Sequence, residues 1–91
     1  MYLYCISDAH GLCKFGYSKD PLVRLRVLQT GSSSDLRLLK CVSVCETQVR
    51  YLEAELHREI GLHRRVRGEW FDCDPQLAES LMSWFEIKYC G

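Results

Sequence analysis

The sequence predicts an α+β domain: a small three-stranded antiparallel sheet flanked by helices, in the order β-β-α-β-α-(short β)-α. Three observations lead there. Short aromatic and aliphatic runs bounded by turn residues recur at 2–7, 12–17 and 36–45, the pattern of strands. Asp20-Pro21 and Asp74-Pro75 each set a carboxylate N-cap before a proline at the first helical position, where the missing N–H costs nothing. Val49, Leu52, Leu56 and Ile60 recur at helical spacing and form one apolar stripe. Helices packed on one small antiparallel sheet satisfy all three.

Residues 2–7 form the first strand, Asp8-Ala9-His10-Gly11 its turn, and 12–17 the returning strand. The first helix runs from 21 to about 29 and stops at Gly31, with Leu22, Leu25 and Leu28 as its core face and Arg24 beside that face. After the polar loop Ser32-Ser33-Ser34-Asp35, residues 36–45 are apolar or small on both faces, which predicts a central strand. Thr47 caps a second helix that ends at Ile60 before Gly61. A basic loop, His63-Arg64-Arg65-Val66-Arg67, leads to a short extended piece at Gly68-Glu69-Trp70-Phe71 that tucks in two aromatics. Leu77, Leu81, Trp84 and Phe85 give the last helix its stripe.

The 91 residues suffice for one compact domain spanning 1–91. No run of 18 apolar residues exists and the N-terminus lacks a basic-then-apolar plan, so the expectation is no membrane span, no secretion and a cytoplasmic location. Residues 1–45 carry six Lys/Arg against three Asp/Glu, and residues 46–91 carry six against nine. This balance fits a local phosphate-binding face opposite an acidic one, or chance, and not a chain that coats nucleic acid with charge. The six cysteines at 5, 13, 41, 45, 73 and 90 contain no C-x-x-C pair, and the histidines at 10, 57 and 63 complete no zinc-finger spacing. They are expected as reduced thiols.

One stretch organises the rest: Lys14-Phe15-Gly16-Tyr17-Ser18-Lys19-Asp20-Pro21-Leu22-Val23-Arg24 reads as a strand end, a glycine, and a helix opening at once. Gly16 permits close approach, and Arg24 falls one turn into the helix, near that glycine. Tyr2-Leu3-Tyr4, Phe15-Gly16 and Arg24 together resemble the core of the GIY-YIG nuclease superfamily. Leu52-Glu53, Leu56-His57 and Gly68-Glu69-Trp70-Phe71 resemble its small phage and bacterial branch with a C-terminal G-E-W-F motif. Tyr2 stands where glycine is usual, and Lys14 where many members carry tyrosine.

The resemblance implies a divalent-metal-dependent endonuclease that hydrolyses DNA phosphodiester bonds with Mg2+ (or Mn2+). Its alternative is a catalytically weak or inactive module that binds nucleic acid or a partner protein. In the first reading Tyr4, with Tyr2 as its rival, orients or deprotonates the water. Arg24 holds the scissile phosphate, and Lys14 shares that task or replaces the absent second tyrosine. His57 either shuttles a proton or donates to phosphate, or is a half-buried polar residue. A phenol that titrates near 10 needs a nearby cation to act as a base. Glu53 binds the metal: at about 100° per residue it lies roughly 55° from the centre of its helix's stripe, at the border of core and solvent. Glu59 occupies the other border, and resemblance selects Glu53. Tyr17, Lys19, Arg64, Arg65 and Arg67 are the candidate nucleic-acid contacts. Glu69 either pairs with an arginine or lines the site. The expected partners are DNA and a protein that targets the domain, with no membrane.

Overall fold

The protein's structure is a computed structural model, and it describes residues 1–89. Strands β1 (Tyr2–Ser7) and β2 (Leu12–Ser18) form the initial hairpin, followed by α1 (Pro21–Thr30), β3 (Arg37–Ser43) and α2 (Val49–Ile60). A 3-10 turn (Leu62–Arg64), β4 (Arg65–Arg67), β5 (Trp70–Asp72) and α3 (Pro75–Tyr89) complete the chain. The first turn is closed by Asp8, whose Oδ1 accepts from the N–H groups of His10 and Leu12 at 2.8 and 2.9 Å. Asp20 and Asp74 cap as the sequence indicates: Asp20 Oδ1 accepts from Leu22 N and Val23 N at 3.2 Å, and Asp74 Oδ1 from Gln76 N at 2.8 Å.

The α+β class holds, but the sheet has five antiparallel strands in the order β3-β1-β2-β5-β4 rather than three. Gly68, at φ +53°, makes the tight turn that folds the expected basic loop back as β4 against β5. Three residues on each side of a turn are too few for alternation to announce a hairpin. β3 is an edge strand, not a central one, and among the described residues it pairs only with β1. Its apolar character on both faces arises from helices on both faces, with Leu38 among the residues packed on the α1 side and Val42 on the other.

Side chains alternate along β1 and β2. Leu3, Cys5, Cys13 and Phe15 join Val49, Leu52, Leu56 and Ile60 of α2, and Ala78, Met82 and Phe85 of α3, in the main core. Tyr4 and Ile6 point the other way, into a smaller cluster with Leu36, Leu25, Leu28 and Trp70 beneath α1. The α2 stripe is the one expected. In α1, Leu22 is exposed and Arg24 is half-buried on the inward side with Leu25 and Leu28. In α3, Leu77 and Trp84 face outward, and Ala78 and Met82 supply the buried stripe with Phe85. Gln48, not Thr47, occupies the N-cap of α2, with no side-chain bond; Thr47 Oγ1 lies 3.1 Å from Cys45 Sγ instead. Gly31 ends α1 at φ −93°, outside the left-handed region, whereas Gly61 ends α2 at φ +95°.

Cys5, Cys13 and Cys73 are buried free thiols, and Cys41 and Cys45 exposed ones; Cys90 lies outside the described residues. Among the described residues, no helix is long and apolar enough to cross a membrane.

Candidate active site

The site is built where β5 leaves β2. Pairing between them runs from Leu12 to Lys14, so both backbone groups of Phe15 on that side need other partners. Phe15 N donates to Glu69 O at 3.2 Å, and His57 Nε2 donates to Phe15 O at 2.8 Å. His57 Nδ1 accepts from Arg65 Nη2 at 3.4 Å, which leaves the ring proton on Nε2. The buried histidine therefore takes the place of a missing strand neighbour, and its ring packs on Phe71 with centroids 5.1 Å apart. Both ring nitrogens are occupied in this arrangement.

Anchoring His57 there carries Glu53, one turn earlier on α2, to the open edge of β2. One ligand atom from each of Glu53, His57 and Glu69 lies within 4.8 Å of the others. Among the described residues, Glu53 Oε2 is buried and has no hydrogen-bond partner. Burial, then the neighbouring Glu69 carboxylate, push the Glu53 carboxyl up to about 7, against the opposing pull of Lys14. A carboxylate oxygen withdrawn from water without a donor is compensated by a proton or by a cation.

On the α1 face of the same edge, Lys14 is buried and its Nζ lies 3.1 Å from Glu69 Oε1 and 5.7 Å from the centre of the Trp70 ring. Gly16 is opposite Tyr4, and a Cβ at Gly16 would stand 2.6 Å from Tyr4 Oη and 3.0 Å from Glu69 Oε1. The glycine is required because the tyrosine hydroxyl and the glutamate occupy the space a side chain would fill. Arg24 of α1 stands near enough for its charge to act on the Tyr4 phenol. Burial raises the Tyr4 phenol above its ordinary value of 10.0, a shift that Arg24 only partly opposes and the charges of Glu69 and Glu53 reinforce. The phenol is neutral at neutral pH and is a hydrogen-bonding group, not a base, in the absence of a cation.

Tyr4, Lys14, Arg24, Glu53 and His57 thus converge, and Tyr4 rather than the outlying, 37 %-exposed Tyr2 is the tyrosine among them. Glu59 is turned away and lies 3.9 Å from Lys88 of α3. Of the candidate nucleic-acid contacts, Arg65 stacks over Phe71 at 5.5 Å on the α2 side, while Arg67, opposite Trp70, is on the α1 side. Lys19 and Arg64 are exposed away from the cluster, and Tyr17 packs against the main core. Glu69 pairs with a lysine, not an arginine, and lines the site. Its signal in the sequence was the glycine turn before it, which sets its side chain beside the strand where Lys14 and Gly16 stand.

The donors present fit a hard divalent cation: two carboxylates side by side, one with a buried free oxygen, facing a phenol and an arginine. A planar guanidinium suits phosphate oxygens. Among known families, the T5orf172 domain matches the chain over residues 1–86. No curated protein and no solved structure matches the chain.

Proposed function

The chain belongs to the T5orf172 domain family, and on that premise we propose that it is a GIY-YIG-type endonuclease that hydrolyses DNA phosphodiester bonds with Mg2+ or Mn2+. The observation that carries this reading is the buried, partnerless Oε2 of Glu53 beside the Glu69 carboxylate, at one edge shared with Arg24 and Tyr4. Glu53, with Glu69 alongside, would hold the cation. When bound, it would supply charge for the phosphoryl oxygens and a lowered pKa for water.

The chain's own residues do the rest. Arg24 binds the scissile phosphate and neutralises charge as it builds on the equatorial oxygens. Tyr4, neutral and packed against Gly16, holds the attacking water by a hydrogen bond at Oη. Lys14 stays paired with Glu69 and keeps the second carboxylate oriented, while also standing within the field of the phosphate. His57 holds α2 against β2 and so sets the height of Glu53; its ring proton is engaged by Phe15 O.

A second reading, a module that binds nucleic acid or a protein without cutting, draws on the Lys14–Glu69 pair, which neutralises a cation that a nuclease of this kind would turn to phosphate. Nicking of supercoiled plasmid by the purified protein separates the two. We expect nicking with Mg2+ or Mn2+, none with EDTA, and a loss of about 10²–10³ in rate for Arg24→Ala with an unchanged circular dichroism spectrum. Metal-independent binding with no nicking would establish the second reading, and undiminished nicking by Arg24→Ala would remove Arg24 from the mechanism.

A further inference from the structure

A cleft of ≈ 360 Å³ opens on the α1 face, between Val27 and Leu28 of α1, the loop from Gly31 to Leu36, and Arg67 and Trp70 of the β4–β5 hairpin. We propose that it receives an unpaired nucleobase, that of the nucleotide adjoining the phosphate at Arg24. The inference rests on the nucleic-acid reading above and names the form of substrate that reading leaves open.

Position is the first argument. Trp70 adjoins both sites, since Lys14 Nζ stands 5.7 Å from its ring centre and the residue also lines the cleft. Leu28, in the cleft, is one turn beyond Arg24 on the same inward face of α1, about 6 Å along the axis. A phosphate on Arg24 therefore brings the neighbouring base to the cleft mouth.

Chemistry is the second. Leu28, Leu36 and Trp70 form an apolar floor, and among the described residues no carboxylate lines the cleft. The C-terminal end of α1 presents carbonyls and partial negative charge, which disfavours an anion inside. Arg67 is exposed at the rim, where the charge of a backbone phosphate would lie. An uncharged flat ring inside with a phosphate at the rim is the chemistry of a nucleotide. Aromatic side chains take bases in this way with little regard to sequence. A base inside a duplex is stacked and unavailable, so the site selects single-stranded or flipped-out nucleotides.

The wall is also preformed. Gln29 grips the loop twice, donating from Nε2 to Ser34 O at 2.8 Å and accepting at Oε1 from Leu36 N at 2.8 Å. Ala9 N donates to Ser34 Oγ at 2.9 Å and ties the loop to the β1–β2 turn. The binding of a base then needs little ordering of the protein.

The test reads binding by fluorescence anisotropy of labelled oligonucleotides in EDTA, with a single strand and the blunt duplex of the same sequence. Trp70→Ala removes the platform, and Ser33→Trp fills the cleft from an exposed position that the fold does not depend on. Each is expected to weaken single-strand binding about tenfold and duplex binding by less than about twofold. Trp70→Phe, which keeps an aromatic face, is expected to remain within about threefold of wild type. In Trp84→Phe protein, single strand should quench the emission of Trp70 saturably. Single-strand binding unchanged in Ser33→Trp, or strand and duplex weakened equally, overturns the cleft and leaves the nucleic-acid reading standing. No binding to either nucleic acid overturns both.

Discussion

Glu53→Gln should stabilise the metal-free protein at alkaline pH, although it alters a residue of the site. The Glu53 carboxyl titrates near 7 in the folded chain against an ordinary 4.5, chiefly because burial and the Glu69 charge disfavour its ionised form. As pH rises the unfolded chain gives up this proton first, so the folded state holds more protons across that window and stability falls. The favourable contribution is complete below 4.5 and gone above about 7. With full shielding the difference would be about 3 kcal/mol. Glu53 is only half-buried, and solvent screening reduces it to about 1–2 kcal/mol. Glutamine copies the protonated form. Urea denaturation in EDTA should therefore find Glu53→Gln more stable than wild type by about 1–2 kcal/mol near pH 8 and equal to it near pH 4. Mg2+ or Mn2+ should close the gap near pH 8 by stabilising wild type alone. A variant less stable than wild type near pH 8 would refute the reasoning, since it would mean that the carboxylate is already compensated within the fold.

Three further outcomes follow from the same geometry. Gly16→Ala should cost about 1–3 kcal/mol of stability in thermal or urea melts and abolish nicking, because the new methyl collides with a Tyr4 side chain that has nowhere to move; wild-type behaviour would show the edge to be slack. His57→Ala should destabilise by about 2–3 kcal/mol, leaving the Phe15 carbonyl without its donor; a loss under about 0.5 kcal/mol would assign the ring to solvent instead. The melting temperature should be the same with and without reductant, as the described cysteines are free thiols, and a drop of many degrees on reduction would reveal a disulfide.

The parts of the fold readable in the sequence are those fixed by local chemistry. The two Asp-Pro caps, the hairpin turn at Asp8, and the four-residue stripe of α2 depend on neighbours along the chain, and the stripe alone placed Glu53 at its border. What escaped depended on tertiary partners. Leu22 looks like core by spacing, but it is exposed, and α1 instead turns half-buried Arg24 inward beside Leu25 and Leu28, toward Tyr4. β3 reads as central because both its faces are covered by helices, and β4 was invisible because a three-residue strand carries no period. The role of His57 could not be read either, since it replaces a strand that stops short at Lys14. Glu69 was recognisable as part of a motif, yet only the turn at Gly68 shows that it meets Lys14 instead of an arginine.

The central claim is that Glu53 holds a divalent cation at the edge shared with Arg24 and Tyr4. Crystals soaked with Mn2+ test it most directly through the anomalous scattering of the ion. The account expects a peak at about 2.0–2.2 Å from a Glu53 carboxylate oxygen, with Glu69 or water completing the coordination. Mn2+ bound elsewhere in the domain, or a Glu53 carboxylate left bare at saturating Mn2+, would contradict it.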